Sequence, residues 1–324
     1  MDTSDSIVYA AQYEARKLVP IKDEDDDMLN KKLPYFSITK NQKQCLEVSG
    51  FNYEDHVNAP RMSFFIDYMK QHILPCLSKS KVDVTGFYNI ELHDSNSYLN
   101  NFDEYTNCLV WSRRKNDNYN ICLPDVYHIQ NYGHQSMVND QQDYNSKSNK
   151  LCFFGSTTGK SVKDNERIKA SLWSLNHRDL TDIYITNVVQ MSKEDILAAN
   201  IPLDKILHDH VPPQKMLSYK ICLDIPGNTC SWDRIPMILK SNSLLFKFPC
   251  NDMCFYYPFL NNKLHYVNVD YNNIISMCQY YLSNPKEASF IIENSKVFQK
   301  SFLNGGVAML YIKTLFEEAS FYNK

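Results

Sequence analysis

The sequence predicts an α/β protein of the doubly wound class, in which parallel strands alternate with crossover helices. The main observation is the order strand, loop, helix and strand, which recurs along residues 150–269. This order restarts at residue 150, after a polar stretch over 131–149 that has almost no apolar periodicity. A chain of 324 residues is long enough for two such units.

The chain is expected to have four parts. Residues 1–30 form an N-terminal arm that contains the acidic run 23–27. Residues 31–145 form a first Rossmann-like domain and residues 146–305 form a second. Residues 306–324 are expected to form a C-terminal helix that packs back on the first domain.

The individual elements follow from apolar periodicity. In the first part, helical spacing predicts a helix over 62–74, and alternation predicts strands over 85–92 and 108–111. In the second part, short apolar runs predict strands at 150–154, 183–185, 219–224, 243–247 and 265–269. Helical periodicity there predicts helices at 165–175, 234–240, 271–283, 285–303 and 308–321.

Composition excludes several functional classes. A net charge of −3 with a pI near 6.3 does not fit a general nucleic-acid binder. A hydrophobic share of 44% argues against disorder. The chain has no apolar run of the ~18–20 residues that a membrane-spanning helix needs. Only 8 of the 324 residues are glycine, so each glycine is informative.

A cytoplasmic location is expected. Residues 1–6 lack the basic and apolar segments of a secretory signal, and the sequence contains no N-x-[ST] glycosylation site. The ten cysteines include no C-x-x-C pair, so neither a zinc ribbon nor a thioredoxin-like site is expected, and a reducing compartment is favoured.

Two loops follow predicted strands where open α/β sheets bind ligands. The first, 155–161, is rich in small hydroxyl residues and suits an anion, although it also fits a structural turn. It has three residues between Gly155 and Gly159, whereas the NTPase P-loop has four. An ATP-binding enzyme that uses Lys160 and Ser161 therefore stays open as an alternative.

The second loop joins the strand that ends at Asp224 to the helix that begins at Arg234. Gly227 permits close approach of the backbone, and Ser231 can donate to a phosphate. Arg234 can form paired hydrogen bonds with a diphosphate. The structural alternative places Trp232 in the core and Arg234 in a surface ion pair.

Two further groups carry possible chemistry. Asp94 follows a first-domain strand, where a carboxylate can act as a general base, although it also fits a turn or a helix cap. His208 and His210 would share one face of a strand, but no third metal ligand stands at a recognisable spacing, so no metal site is expected.

The order of these motifs is similar to that of the family 90 glycosyltransferases. Residues 219–269 resemble the family pattern K-Y-x-x-x-x-D-G-N-x-x-S-x-R, then L-x-S-x-S-x-x-x-K, F-Y-P-x-L and H-Y-x-P-V. Upstream, 153–159 and 165–167 resemble the family's F-R-G-S-x-T segment and its following Arg. This sequence departs from the pattern by two residues between Asp224 and Gly227 and by Phe154 where many members have Arg.

The resemblance implies a GT-B-like enzyme, with two Rossmann-like domains and a cleft between them. The first domain would bind a hydroxyl of a glycan or protein acceptor, and the second a UDP-glucose or UDP-xylose donor. The reaction would invert the anomeric centre, with the UDP-sugar as co-substrate and neither a metal nor another cofactor. The expected base is Asp94. The expected donor-binding residues are Gly155, Ser156, Thr157, Thr158, Arg167, Gly227, Asn228, Ser231, Trp232 and Arg234. A family member that binds UDP-sugars without catalysis is a further alternative.

Overall fold

A computed structural model describes residues 3–18, 20, 33–43, 45–54, 56–80, 82–94, 107–130, 138–159 and 161–322. The chain divides into two compact units. Unit 1 comprises Met1–Gln130, Asp252–Tyr256 and Ser301–Lys324, and unit 2 comprises Asn131–Asn251 and Tyr257–Lys300.

The helices of unit 1 come from both ends of the chain. They are α1 (Thr3–Ala15), α2 (Ala59–Tyr68), α3 (Leu74–Ser80), α4 (Val126–Gln130) and α11 (Gly305–Tyr322). Helices α1 and α11 pack against each other. Between α2 and α3 the chain forms a π turn, Met69–Ile73. Pro75 accounts for this turn, because its ring displaces the carbonyl four residues earlier and it has no N–H to donate.

The strands of unit 1 are short. They are β1 (Tyr35–Lys40), β2 (Leu46–Phe51), β3 (Gly86–Asn89), β4 (Leu109–Val110), β5 (Arg113–Arg114), β6 (Ile121–Cys122) and β11 (Asp252–Met253). Strand β1 pairs antiparallel with both β2 and β3, and β5 pairs antiparallel with β11. Strand β4 pairs parallel with β6, and a parallel bridge joins Ile90 to Leu109. The antiparallel strands β1 and β2 were not predicted from the sequence.

Aromatic side chains form the centre of unit 1. Phe36 stacks on Tyr88 with ring centroids 5.1 Å apart, and it meets Phe65 edge-on at 5.4 Å. Phe316 of α11 meets Tyr88 at 5.2 Å. All four rings are buried. The helix predicted over 62–74 and the strand predicted over 85–92 supply two of these rings, and both predictions are confirmed.

Unit 2 has a five-stranded sheet in which all neighbouring strands are parallel, with the order β12-β10-β9-β7-β8. Its strands are β7 (Ser148–Ser156), β8 (Thr181–Asn187), β9 (Tyr219–Asp224), β10 (Leu244–Lys247) and β12 (Val267–Asn268). Each of these five strands overlaps one of the five runs that the sequence predicts as strands. The predicted α/β class is therefore confirmed, and the loops after β7, β9 and β10 lie at one edge of the sheet.

The helices of unit 2 are α5 (Glu166–Ser174), α6 (Lys193–Ala198), α7 (Leu203–Ile206), α8 (Arg234–Leu239), α9 (Ile274–Ser283) and α10 (Pro285–Phe302). Helices α9 and α10 contribute Ile274, Ile291 and Ile292 to a buried cluster with Phe153 and Leu223 of the sheet. A second cluster joins α5, α6 and α7 to β8. Apolar packing of this kind fixes where the sheet's loops begin.

Some sequence predictions fall outside the described residues. These are the acidic run 23–27, residues 131–137 of the polar stretch, and Lys160. The described part of the chain contains no helix that is both long and apolar enough to cross a membrane. Eight cysteines are free thiols, whereas Cys230 and Cys254 are disulfide-bonded.

Candidate functional site

The loops after β7 and β9 touch at the carboxyl edge of the unit 2 sheet. These two strands pair side by side, so their loops start next to each other. A Cβ placed on Gly159, whose φ is +136°, would lie 3.6 Å from the Gly227 carbonyl oxygen. Five of the ten expected donor-binding residues therefore fall at one place: Gly155, Thr158, Arg167, Gly227 and Arg234.

Arg167 ties the two loops together. Its Nη1 donates to the carbonyl oxygen of Ser156 at 3.0 Å and to Oγ1 of Thr158. Its Nε and Nη2 donate to the carbonyl oxygen of Ile225 at 3.3 and 3.2 Å. All three nitrogens thus donate to protein oxygens, and none of these oxygens carries a full charge. Arg167 acts as a brace between the loops and brings a positive charge that these partners do not neutralise.

Two glycines make room for the arginines. A Cβ on Gly227 would lie 2.8 Å from Nη2 of Arg167 and 2.6 Å from Oγ1 of Thr158. A Cβ on Gly155 would lie 3.0 Å from Nη2 of Arg234 and 2.8 Å from the Phe153 ring. Real Cβ contacts are almost never shorter than about 3.0 Å. An alanine at either position would force these neighbouring side chains to shift.

Arg234 lies at the start of α8, over the ring of Phe153. Its Cζ is 4.5 Å from the ring centroid, and its Nη2 donates to the Phe154 carbonyl oxygen at 3.4 Å. Nη1 is buried without a hydrogen-bond partner, and the nearest carboxylate, Asp224, is 3.9 Å away. The guanidinium therefore has a nitrogen available for a ligand. The alternative of a surface ion pair does not fit this burial.

Two arginines lie close together at the site, beside Asp224 and Asp233. Burial lowers the pKa of Arg167 to about 9, and the charge of Arg234 adds to this effect. Burial also lowers the pKa of Arg234, which Asp224 and Asp233 partly oppose. Burial disfavours each guanidinium, and each guanidinium repels the other. An anion bound at this edge would relieve both effects.

The β9–α8 loop carries further polar atoms. Oγ of Ser231 and Oδ1 of Asp224 are buried without a hydrogen-bond partner. Buried polar atoms are nearly always paired in folded proteins, so a group of unpaired ones at one loop favours a ligand. The side chain of Trp232 is buried, as the structural alternative expects. The sequence-predicted residue Asn228 lies in the same loop.

The loop after β7 is largely satisfied by its own hydrogen bonds. The Thr157 hydroxyl donates to the Val189 carbonyl oxygen and accepts from the Val189 amide, both at 2.8 Å. Asn165 caps α5 by accepting from the amides of Arg167 and Ile168 at 3.1 Å. Ser161 donates to Asp164. These contacts favour the structural-turn alternative for this loop over a phosphate cradle.

In unit 1, Asp94 follows the strand end as predicted, but it is engaged in an ion pair. Nη2 of Arg61 donates to its Oδ1 at 2.7 Å, and Nη1 of Arg61 donates to the Leu92 carbonyl oxygen at 2.7 Å. Ser112 donates to the Asp94 carbonyl oxygen. Arg61 and Ser112 therefore hold this strand end in place. The role of Asp94 as a base stays a prediction.

Close to Asp94 lies a cluster that was not predicted. His56, Glu91 and His93 have ligand atoms within 4.8 Å of one another. The spacing Glu-x-His was the available signal, because it places both side chains on one face of extended backbone. The Asn58 amide donates to Nδ1 of His56 at 3.0 Å, so the proton of the neutral ring is on Nε2. Neither nitrogen of His56 then has a lone pair for a metal, and the cluster does not fit a three-ligand metal site.

His208 and His210, which follow β8, do not lie on one face of a strand, because residues 208–210 are not in a strand. The His208 ring packs on Tyr184 with centroids 3.6 Å apart, and Arg178 lies over the same Tyr184 ring at 4.2 Å. Burial and the Arg178 charge lower the pKa of His208. These contacts explain His208 by packing.

The chain matches no known family profile and no curated protein. Several solved structures are similar to it, among them the following three. TarM aligns with 14% identity and a TM-score of 0.38 over 54% of this chain and 36% of that one. A glycosyltransferase from Rickettsia africae ESF-5 aligns with 16% identity and a TM-score of 0.37 over 54% of this chain and 49% of that one. The pneumococcal O-GlcNAc transferase GtfA, in complex with UDP and GlcNAc, aligns with 15% identity and a TM-score of 0.33. This alignment covers 56% of this chain and 38% of that one. Each match spans less than half of the solved chain, and likenesses this weak carry no argument about what this chain does.

Proposed function

We propose that this chain is a glycosyltransferase of the GT-B type and that the carboxyl edge of the unit 2 sheet binds the diphosphate of a UDP-sugar. The observation that carries the proposal is the Arg234 guanidinium, whose buried Nη1 has no hydrogen-bond partner in the protein, beside the second guanidinium of Arg167. The motif order that resembles family 90 supports the same assignment. The close packing of the two loops at Gly155 and Gly227 supports it as well.

The buried atoms match the groups of such a donor. Nη1 of Arg234 and Oγ of Ser231 can donate to phosphate oxygens, and Oδ1 of Asp224 can accept from a sugar hydroxyl. Arg167 holds the two loops in place and adds its charge without contacting the ligand. When the bond from C1 to the diphosphate breaks, these fixed positive charges stabilise the leaving UDP.

The finer expectations belong to the same proposal. The transferred sugar is glucose or xylose, the acceptor is a hydroxyl of a glycan or protein, and the anomeric centre is inverted. The reaction needs no metal because the arginines neutralise the leaving group. Release of UDP from a panel of UDP-sugars, with and without EDTA, tests the sugar and the metal together.

The decisive experiment is the affinity for UDP by calorimetry. Arg234→Ala should weaken UDP binding by roughly 10- to 150-fold, because a hydrogen bond to a charged group contributes about 1.5–3 kcal/mol. Its affinity for uridine, which has no diphosphate, should not change. The matched control is Arg178→Ala, because Arg178 packs on Tyr184 outside the candidate site. Equal UDP affinity in Arg234→Ala and the wild type would overturn the proposal.

An ATP-binding enzyme is the second candidate, because the loop after β7 lies between a strand and a helix. It predicts binding of ATP that depends on Mg²⁺ and is lost in Ser161→Ala. Since Ser161 already donates to Asp164 and Thr157 to Val189, we expect no such binding. Thermal shifts with ATP and UDP, each with and without EDTA, separate the two candidates.

A further inference from the structure

A groove in unit 1 runs along the outer edge of strand β2. It has a volume of about 480 Å³, and two segments of the chain line it. The strand side consists of Cys45, Leu46, Glu47, Val48 and Ser49, and the helical side of Lys70, Leu74, Pro75 and Ser78. Successive side chains of a strand point to opposite faces of the sheet, so a groove over one face would be lined by alternate residues. Because consecutive residues line this groove, it follows the edge of the strand.

The register of the sheet shows which backbone groups of β2 point towards the groove. The Asn41 amide donates to the Cys45 carbonyl oxygen at 2.9 Å, so the backbone of Cys45 faces β1. In an antiparallel pair, residues that bond to the partner strand alternate with residues that do not. Glu47 therefore bonds to β1, whereas the N–H and C=O groups of Leu46 and Val48 point away from β1.

The pairing on the other side of β1 gives the same register. The Ile90 amide donates to the Pro34 carbonyl oxygen at 2.9 Å, so the even-numbered residues of β1 bond to β3. The odd-numbered residue Thr39 is left for β2, where it lies opposite Glu47. Among the strands that the structure describes, β2 pairs with β1 alone. The outer edge of β2 therefore presents donors and acceptors at every second residue.

Strand β2 lacks the usual protection of an edge strand. Its residues, Leu46–Phe51, include neither proline nor lysine, and no bulge interrupts their register with β1. Proteins commonly use such features to prevent a further strand from pairing. The charged side chain of β2, Glu47, points to the face opposite Val48 and accepts from Nδ2 of Asn41 at 2.8 Å. The backbone of β2 is therefore able to accept a fourth strand.

The helical side of the groove provides an apolar surface and a charge. Leu74 is 4% exposed and lies beside the exposed residues Pro75 and Ser78. Within the described part of the chain, the exposed Lys70 ammonium forms no ion pair. Since Glu47 belongs to the other face of the strand, the charge on this side of the groove is positive. A segment that lies in the groove would therefore meet apolar side chains and a lysine.

We propose that this groove binds an extended acidic segment of a partner protein, which adds to the sheet as a fourth strand beside β2. Main-chain hydrogen bonds to Leu46 and Val48 would hold the segment. Alternate residues of the segment would face the helical side, with an apolar side chain against Val48 and Leu74 and a carboxylate near Lys70. This inference goes beyond the proposed sugar transfer and does not depend on it.

The size of the groove favours a single segment as its occupant. A residue in a sheet takes up about 3.3 Å along the strand, about 4.8 Å across the sheet and about 10 Å through it, which is about 160 Å³. The groove therefore holds about three residues of one strand. A second copy of this chain would bring its own helical side, residues 70–78, to the same edge.

The test uses capped synthetic peptides as long as β2, in which valine alternates with threonine. One valine is replaced by aspartate in the first peptide and by lysine in the second. Fluorescence anisotropy measures their binding to the full chain, and alkylation of the exposed Cys45 thiol reports occupation of the groove. The aspartate peptide should bind and slow this alkylation. The lysine peptide should bind roughly 2- to 5-fold more weakly, because an exposed ion pair contributes little.

Three variants test the residues of the groove. Leu46→Pro removes an amide that points towards the groove and leaves the bonds to β1 in place. It should weaken binding of the aspartate peptide roughly 5- to 10-fold, the effect of about one hydrogen bond. Lys70→Glu should reverse the preference between the two peptides. The control Lys79→Glu, in α3 but outside the groove, should leave the preference unchanged.

A further pair of peptides tests the backbone pairing on the unaltered protein. The alternation of valine and threonine fixes which amides face β2. N-methylation of those amides should abolish binding, and methylation shifted by one residue should have little effect.

Equal binding of the two methylated peptides overturns the proposal, as does equal affinity of Leu46→Pro and the wild type for the aspartate peptide. Absence of binding by all the peptides overturns it too. A wild-type dimer in ultracentrifugation that Leu46→Pro dissociates would assign the groove to a second copy of the chain and would also overturn the proposal.

Discussion

The close contact between Gly227 and the Arg167 brace makes Gly227→Ala a sharp test of the site. The added Cβ would lie 2.6 Å from Oγ1 of Thr158, 2.8 Å from Nη2 of Arg167 and 3.1 Å from its Cζ. Arg167 cannot withdraw without breaking its bonds to the Ile225 carbonyl oxygen. Overpacking costs about 1–3 kcal/mol, and loss of a hydrogen bond to a charged group adds about 1.5 kcal/mol. We expect the free energy of unfolding of unit 2 to fall by about 2.5–4.5 kcal/mol.

Urea unfolding of the full chain, followed by a probe in unit 2 such as Trp173 fluorescence, measures this loss. Gly306→Ala is the control, because its Cβ would meet a single atom within 4 Å, Oδ1 of Asn304 at 3.2 Å. Gly306 lies in α11, where alanine also favours the helix. Thr158→Ala removes the nearest of the three atoms and should restore part of the loss in the double variant. A Gly227→Ala protein as stable as the wild type would refute the argument from close contact.

Two further predictions concern stability. Asn165→Ala should lower the free energy of unfolding by about 1–2 kcal/mol, because Asn165 caps α5 and also donates to the buried Thr157 carbonyl oxygen at 2.7 Å. Asn165→Asp keeps the cap, so its stability should lie between those of Asn165→Ala and the wild type. Urea midpoints that do not follow this order contradict the assignment. Burial raises the pKa of Tyr68 to about 12, so the unfolded chain ionises first and stability falls as the pH rises from about 10 to 12. Tyr68→Phe removes a buried hydroxyl that has no hydrogen-bond partner, so the variant should be at least as stable as the wild type at pH 8. It should also lose less stability than the wild type between pH 10 and 11. Unfolding curves that match those of the wild type at pH 10 and at pH 11 count against this prediction.

The parallel sheet of unit 2 was predictable because its strands are short apolar runs that end in polar loops. The run 219–224 coincides with β9, and the helix predicted to begin at 165 has Asn165 as its cap. Strands that are buried on both faces need such continuous apolar runs, so the signal is local. The same local pattern located the two loops of the candidate site.

Unit 1 was less predictable because its pairings are not local. Strand β1 pairs with β3, about fifty residues further along the chain, and α1 packs on α11 at the other end. Nothing in the local pattern indicates such partners. The brace role of Arg167 was hidden for the same reason, because its acceptor Ile225 lies 58 residues away. The sequence indicates that arginines lie near a bound anion. Only the fold shows that Nη1 of Arg234 has no hydrogen-bond partner, whereas the nitrogens of Arg167 all donate to protein oxygens.

The way the chain alternates between the two units sets an order of events during synthesis. Unit 2 is contained in residues 131–300, and the chain leaves it only for Asp252–Tyr256. Unit 1 needs α11, which includes Phe316 of its aromatic centre and Glu318, the acceptor for Gln12 at 3.0 Å. On the ribosome, α1 must therefore wait without its partner until some three hundred further residues have emerged. During that interval the apolar face of α1, which includes Ile7 and Ala11, is not covered by α11.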